Sequence, residues 1–308
     1  MTAETDPHPD TPARSGGASL ADWLEGARPR TWPNAAAPVI VGSACAALAG
    51  GFVWWKALLA LVVAWSFIVG VNYANDYSDG VRGTDDDRVG PLRLVGSGLA
   101  APATVKKAAF GFLGLGGVAG LVLSWFSAPW LIVVGLVCIL AAWFYTGGSR
   151  PYGYRGLGEV AVFVFFGLVA VTGTQFTQLG SVTWYAVVAA VAVGSFSCAV
   201  NLTNNLRDIP SDTAAGKVTL AVRLGDSRTR GLHALLEIFV PLLATVALAF
   251  ATPWALLALL AIPVAWKANA PVRARATGVG LVPALTMAGM AMLAWSVLFA
   301  GGLVAASL

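Results

Sequence analysis

The stretch NYANDYSDG, residues 72–80, ends a run of apolar residues that begins near Trp54. Four polar side chains in this stretch recur at intervals of three or four residues: Asn72, Asn75, Asp76 and Asp79. Residues at this spacing lie on one side of an α-helix. The apolar run has about the 20 residues that a helix needs to cross a bilayer. The stretch therefore predicts a membrane-spanning helix whose end carries amides and carboxylates on one face.

The composition is that of an integral membrane protein. Of the 308 residues, 57% are hydrophobic and 11% are charged, whereas soluble domains carry about 25% charged residues. Nine apolar runs are predicted as spans: 33–50, 55–76, 104–125, 130–146, 157–178, 183–205, 231–250, 253–267 and 279–302. The predicted fold class is an all-α integral membrane protein with about nine transmembrane helices. Residues 1–20 are predicted to be a disordered tail, and residues 21–308 a single transmembrane domain.

The connecting segments predict an orientation. Apart from Lys56, the Lys and Arg residues fall in the N-terminal arm, in the longer loops or at the adjoining ends of the spans. The positive-inside rule then makes the N-terminus and the longer loops cytoplasmic and the C-terminus external. Because this pattern accounts for the net charge of +4, the charge gives no indication of nucleic-acid binding.

A second stretch, NLTNNLRDIPSD at residues 201–212, repeats the pattern of the first. Its polar side chains have the same offsets, with one carboxylate a turn further on: Asn201, Asn204, Asn205, Asp208 and Asp212. Both stretches end even-numbered spans, so both are expected on the cytoplasmic side. We call the polar residues of 72–80 the first stripe and those of 201–212 the second stripe. A helix cap needs only one such residue, whereas each stripe has at least four, which indicates a binding site.

The chemistry of the two stripes favours magnesium. Carboxylate and amide oxygens suit a hard cation, and Mg²⁺ is commonly held by a few carboxylates together with substrate phosphates. The three Cys and two His have no metal-ligand spacing. Basic residues follow each stripe: Arg88 and Arg93 after the first, Lys217 and Arg223 after the second. The sequence therefore predicts a site for Mg²⁺ and a diphosphate between the two stripes.

With these motifs the chain resembles the UbiA-type membrane prenyltransferases, and within them the branch that prenylates 1,4-dihydroxy-2-naphthoate in menaquinone biosynthesis. The resemblance covers roughly residues 23–303. Four segments are the most specific: ARPRTWPNAAAPVIVG (27–42), NDYSDGVRGTDDDRVGPLR (75–93), YTGGSRPYGYRGLGE (145–159) and NNLRDIPSDTAAGKVTLAVRLG (204–225). Ser149 and Arg150 depart from the Pro-rich stretch expected there, which leaves the part played by Arg150 open.

The resemblance implies nine helices around a central cavity that opens near the cytoplasmic face of the cell membrane. It also implies Mg²⁺-dependent transfer of a polyprenyl group from a polyprenyl diphosphate to 1,4-dihydroxy-2-naphthoate. Diphosphate and CO₂ leave, and demethylmenaquinone is the product.

The matching motifs imply roles for individual residues. The Mg²⁺ ligands would be Asp76, Asp79, Asp85, Asp208 and Asp212. The substrates would be bound by Asn72, Asn75, Asn204, Arg28, Arg93, Arg155 and Lys217. Tyr145 is a candidate to face an allylic cation, ahead of Trp143 and Tyr73, and Glu159 is a candidate to take a proton or orient the acceptor.

Two other interpretations stay open at this point. The acceptor could be 4-hydroxybenzoate, a haem, a chlorophyllide or a sugar phosphate, although the extended second motif argues against them. The protein could instead be an ion channel or Mg²⁺ transporter. A pore would carry polar groups across the whole bilayer, whereas these polar groups cluster at one face.

Overall fold

The structure is a computed structural model that describes residues 17–83 and 92–307, and the described residues are helical with no β-strand. Most of the predicted tail, and Asp85, lie outside the described residues. The main helices are α1 (Leu20–Gly26), α2 (Pro33–Leu48), α3 (Trp54–Arg82), α4 (Pro102–Trp125), α5 (Leu131–Phe144), α6 (Gly158–Leu179), α7 (Trp184–Arg207), α8 (Ile209–Ala214), α9 (Leu220–Leu248), α10 (Pro253–Ala268) and α11 (Gly278–Ser307).

Six helices in the described part of the chain are long and apolar enough to cross a membrane: α3, α4, α6, α7, α9 and α11. Helices α2, α5 and α10 are apolar but shorter, with 10–17 residues. Each of the nine predicted spans coincides with one of these helices. The all-α, multi-pass membrane class is therefore confirmed, whereas length alone supports six spans rather than nine.

Helix α7 forms the centre of the bundle, and 78% of an 18-residue apolar stretch within it is buried inside the protein. Small side chains allow its neighbours to approach closely, as is common between helices in membranes. At the crossing with α6, a Cβ added to Gly167 would lie 2.6 Å from the Cα of Gly194, so the two backbones are in contact. This close crossing carries the polar end of α7 towards the start of α6.

The segment predicted as the loop 206–230 is largely helical, and this corrects the sequence analysis. It contains α8 and the first part of α9, which begins eleven residues before the predicted span at 231. Thr219 caps α9 by accepting a hydrogen bond from the backbone N–H of Val222 at 3.4 Å, and Gly225 interrupts the helix with φ 74° and ψ 170°. A search for apolar runs misses this part because it is amphipathic, with Ala221 and Thr229 buried between charged residues.

Lys56, the exception to the charge pattern, has a structural role at the opposite end of the bundle. Its Nζ donates hydrogen bonds of 2.8 Å to the carbonyl oxygens of Phe126 and Thr177. These carbonyls lie at the C-terminal ends of α4 and α6, where a cation is favoured by the helix dipole. Lys56 therefore joins the ends of three helices, which explains a lone lysine on that side.

Candidate active site

A cavity of about 530 Å³ lies among α2, α3, α4, α5, α6 and α7, within the usual size range of ligand pockets. Most of its lining is apolar. The polar lining residues come from helix ends and connecting segments and include Arg28, Asn34, Asn72, Asn75, Tyr145, Tyr152, Asn201 and Asn204. The site therefore combines an apolar body with amide, phenol and guanidinium groups.

The two polar stripes meet at this cavity through their asparagines, whereas the cavity lining does not include the stripe carboxylates Asp76, Asp79, Asp208 and Asp212. Asn72 and Asn75 reach it from the end of α3, and Asn201 and Asn204 reach it from the end of α7. Asn72 donates hydrogen bonds of 3.0 Å to Ala27 O and Thr31 Oγ1, so α3 is tied to the turn that precedes α2. The predicted convergence of the stripes is present in the structure for their asparagines.

Asp76 has a different environment from the asparagines. Its two carboxylate oxygens accept hydrogen bonds from the backbone N–H groups of Leu94 and Val95 at 2.8 and 2.9 Å. Leu94 is fully buried, so the carboxylate anchors the segment that carries Arg93.

Tyr154, from the segment between α5 and α6, and Lys217 link the acidic ends of the two stripes. The Tyr154 hydroxyl donates to Asp79, whose other oxygen lies 3.6 Å from Arg93 Nη2. Lys217 Nζ lies 5.0 Å from the centre of the Tyr154 ring and 3.4 Å from Asp212 Oδ1. Asp79 and Asp212 are thus connected through one tyrosine and one lysine.

Tyr154 was not among the predicted site residues, although its segment was recognised. It lies in a short 3₁₀ turn, Tyr152–Arg155, that ends at Gly156 with a left-handed φ of 73°. Arg155 was the residue of this turn predicted to bind substrate, but Arg155 is exposed. A tyrosine next to an arginine gives no sign of which side chain points inward, so the turn geometry decides it.

Asp208 forms a buried ion pair that the sequence analysis also missed. Arg207 Nε and Nη2 donate to the two oxygens of Asp208 at 2.6 and 2.8 Å. Both side chains are less than a tenth exposed, and such bidentate pairs are strong and directional. Arg207 therefore fixes the orientation of the Asp208 carboxylate at the end of α7.

Glu159 is buried at the start of α6 and binds the second stripe rather than lining the cavity. Its Oε1 accepts hydrogen bonds from Asn201 Nδ2 at 3.2 Å and Asn205 Nδ2 at 2.6 Å. A Cβ added to Gly158 would lie 3.0 Å from the Tyr145 hydroxyl. The glycine therefore makes room for Tyr145, which lines the cavity beside these groups.

The other two candidate aromatic residues do not line the cavity. Trp143 stacks on Phe110 with ring centres 4.6 Å apart, and Tyr73 donates a 2.7 Å hydrogen bond to Trp23 O. Tyr145 is the one of the three that reaches the site, where it meets Tyr152 edge to face at 5.5 Å.

Arg28 is held in an unusual backbone conformation. Its φ of 53° is left-handed, which is uncommon for a residue other than glycine, and Thr31 Oγ1 supports the turn by donating to its carbonyl at 2.8 Å. The side chain lines the cavity, and Nη2 is buried without a hydrogen-bond partner in the described part of the protein. A buried guanidinium donor of this kind suits an anionic ligand.

The donor set fits Mg²⁺. The side chains at the ends of the stripes offer oxygen ligands: Asn75, Asp76, Asp79, Asp208 and Asp212. Among the described residues, no three His, Cys, Asp or Glu side chains form a metal centre by themselves. This is compatible with Mg²⁺, which usually takes one or two carboxylates per ion and completes its shell with substrate phosphates and water.

Replacing Tyr154 with phenylalanine is expected to lower kcat/KM at this site at least about tenfold, since a hydrogen bond to a charged group contributes roughly 1.5–3 kcal/mol. The loss would free Asp79 from its hydroxyl donor while leaving the aromatic ring beside Lys217. Tyr185→Phe is the matched control, because Tyr185 is not a lining residue of the cavity and its hydroxyl donates to Cys45 O at 3.4 Å. Equal steady-state kinetics for the two variants would contradict a role for the Tyr154 hydroxyl.

Together, the helical bundle and its polar-ended apolar cavity define an integral membrane protein built to bind an amphipathic ligand. The chain belongs to the UbiA prenyltransferase family, which matches residues 35–278.

Several relatives within this family are similar over most of the chain. One is the 1,4-dihydroxy-2-naphthoate octaprenyltransferase of Mycobacterium tuberculosis, 59% identical over 286 residues that cover 93% of this chain and 98% of the relative. The protein of the same name from Escherichia coli is 42% identical over 221 residues, covering 70% and 72%. A solved UbiA homologue from Archaeoglobus fulgidus bound to DMAPP and Mg²⁺ has a TM-score of 0.65 at 14% identity, covering 92% of this chain and 99% of that one. The latter likeness concerns the fold.

Proposed function

We propose that this protein transfers a polyprenyl group from a polyprenyl diphosphate to 1,4-dihydroxy-2-naphthoate in menaquinone biosynthesis. The observation that carries the proposal is the meeting of two asparagine-bearing helix ends at one apolar cavity. An apolar cavity accommodates a polyprenyl chain, and the amides and cations suit its diphosphate and an acidic acceptor. Relatives with 59% and 56% identity are named for this activity.

In this proposal the diphosphate is bound between the two stripes. Asp76, Asp79, Asp208 and Asp212, with Asp85 from outside the described residues, would hold Mg²⁺, and bound Mg²⁺ would share the negative charge that develops on the leaving diphosphate. Lys217 and Arg93 lie within 4 Å of stripe carboxylates and are assigned to the diphosphate oxygens. Asn72, Asn75 and Asn204 orient the head group, and Arg28 donates to an anionic group. For Arg155, which is exposed, a phosphate contact stays a prediction.

The reaction breaks the allylic C–O bond and forms a C–C bond to the naphthalene ring, after which the carboxylate leaves as CO₂. The face of Tyr145 would stabilise the positive charge on the allylic carbon. Glu159 is assigned to the acceptor side, where it holds Asn201 at the cavity. It would orient the acceptor or take a proton from a ring hydroxyl as the C–C bond forms, and it would return that proton when the electron pair of the departing CO₂ restores the aromatic ring. The product is a demethylmenaquinol, the two-electron-reduced form of demethylmenaquinone.

We further propose that the chain crosses the cell membrane nine times, with α2, α5 and α10 as short or tilted spans. The cavity would open near the cytoplasmic face, with residues 1–20 a cytoplasmic tail and 21–308 one transmembrane domain. The C-terminus would be external. The basic residues next to both stripes support this orientation.

The choice of acceptor tests the proposed function. Membranes containing the protein, supplied with octaprenyl diphosphate and Mg²⁺, are expected to prenylate 1,4-dihydroxy-2-naphthoate and to release its carboxyl group as CO₂ in equal amount. With 4-hydroxybenzoate the rate should be at least about tenfold lower, because a site that pairs polar substrate groups rejects an analogue that leaves those groups unpaired. Membranes lacking the protein provide the background. Faster prenylation of 4-hydroxybenzoate would assign the protein a different acceptor.

A further inference from the structure

Four polar side chains form a buried network on the side of α7 away from the cavity. They are Thr203 on α7, His233 and Glu237 on α9, and Asn269 directly after α10, and each is 0% exposed. Thr203 Oγ1 lies 2.7 Å from His233 Nε2, and Asn269 Nδ2 lies 2.7 Å from His233 Nδ1 and 3.3 Å from Glu237 Oε2. We call these four residues the back network. None of them lines the cavity.

The hydrogen bond from Thr203 to its own helix assigns donors and acceptors in the back network. The Thr203 hydroxyl donates its hydrogen to Ala199 O at 2.8 Å, so it must accept a hydrogen bond from His233 Nε2–H. His233 Nδ1 then accepts from the Asn269 amide, whose second hydrogen is directed to Glu237 Oε2. Glu237 Oε2 also lies 3.3 Å from His233 Nδ1, so all four side chains are joined and the network links α7, α9 and the end of α10.

A buried polar network contributes less reliably to stability than apolar packing between helices. A buried polar group that loses its partner costs roughly 1–3 kcal/mol, and apolar side chains could fill the same space without that risk. Glu237 also lies in a π-helical turn, Leu235–Phe239, a distortion that occurs mostly as single turns and often at functional sites. The network therefore specifies one relative position of α7, α9 and α10 rather than adding apolar packing.

The position of Thr203 on α7 connects the back network to the site. At about 100° per residue, Thr203 points about 160° away from both Asn201 and Asn205. Asn201 lines the cavity and both asparagines bind Glu159, while Asn204 and Asp208 continue the stripe. The hydrogen bond of Thr203 to His233 lies on the side of α7 away from the cavity. It fixes the rotation of α7 about its axis, and so the direction in which the second stripe points.

We propose that the back network is a positioning device for the second stripe, setting the rotation of α7 so that Asn204 and Asp208 meet the Mg²⁺–diphosphate head group. The proposal rests on the proposed function for the identity of that head group. Thr203, His233, Glu237 and Asn269 are positioning residues and touch neither substrate.

Thr203→Val tests this directly, because valine keeps the shape of threonine and removes the hydroxyl. Purified protein is titrated with octaprenyl diphosphate in the presence of Mg²⁺, and the Mg²⁺ concentration for half-maximal binding is measured separately. Both values are expected to rise about five- to tenfold, as for the loss of one hydrogen bond that aligns the site. Thr203→Ser, which restores the hydroxyl, should bind within twofold of the wild type.

Ser195→Ala is the matched control, since Ser195 is buried on the same helix and its hydroxyl donates only to Val191 O at 2.8 Å. Asn269→Ala breaks the network at its other end and should shift binding in the same direction if Thr203→Val gives too little folded protein. Unchanged binding in a folded network variant, or an equal shift in Ser195→Ala, would overturn the proposal. Binding needs no acceptor, so a wild-type protein that binds the diphosphate but fails to prenylate the naphthoate would contradict the proposed function alone.

Discussion

Asp208→Ala is expected to reduce kcat for prenyl transfer by about 100- to 1,000-fold, the range found when one group that stabilises developing charge is removed. Asp208 is buried at the end of the second stripe, where Arg207 holds its carboxylate through two hydrogen bonds of 2.6 and 2.8 Å. Alanine removes a carboxylate assigned to the metal and leaves the guanidinium of Arg207 without its anion. The measurement is the rate of naphthoate prenylation in membranes with equal amounts of each protein.

The experiment must separate a loss of catalytic activity from a loss of folded protein. Breaking a buried ion pair by removing one partner costs about 3–5 kcal/mol, so Asp208→Ala is compared with Asp208→Asn, which keeps the size and one oxygen. The asparagine variant should recover the membrane yield but not the activity. Asp226→Ala is the control for an arginine-paired carboxylate that belongs to neither stripe, since Asp226 is half exposed and lies 2.7 Å from Arg230.

If Asp208→Asn and Asp226→Ala retained similar activity, Asp208 would be a structural partner of Arg207. Its assignment as a metal ligand would then be wrong. A stable Asp208→Asn protein with little activity would support the assignment to the diphosphate end.

The fold was predictable where contact with lipid requires a long run of apolar residues. Apolar runs gave the nine helical segments because every backbone polar group in a bilayer must be paired within a helix. The start of α9 was not predictable in this way, since Ala221 and Thr229 are buried by contacts with neighbouring helices while the intervening charges face outward. Likewise, nothing local in the sequence signals the length at which a short helix such as α5 still crosses the membrane.

The candidate site was predictable where periodicity acts within one helix and less so where it depends on packing between segments. The spacing of Asn72 and Asn75, and of Asn201 and Asn204, was enough to bring four amides to one cavity. The contacts of Tyr154 and Arg207 depend on a 3₁₀ turn and on the end of α7, which periodicity does not describe. The back network could not be predicted at all, because its partners Thr203, His233 and Asn269 are widely separated in the chain.

Removal of divalent cations is expected to lower the prenylation rate by about 100-fold or more, since a bound metal contributes several kcal/mol of charge stabilisation. The side chains assigned to the metal at the stripe ends, among them Asp79 and Asp212, are oxygen donors. Excess EDTA should therefore stop turnover, and Mg²⁺ should restore it. Ca²⁺ should restore less, because it prefers longer bonds and more ligands than Mg²⁺.

The same titration distinguishes metal ligands from residues that only shape the cavity. Asp79→Asn and Asp212→Asn each remove a negative charge at the end of one stripe, so both should raise the Mg²⁺ concentration needed for half-maximal rate. Asp226→Ala should leave that concentration unchanged because its carboxylate pairs with Arg230 away from the cavity. Full activity in EDTA would contradict the metal assignment. If an asparagine variant lowers kcat without changing the Mg²⁺ requirement, that carboxylate acts on the substrate directly, since a lost ligand must weaken metal binding.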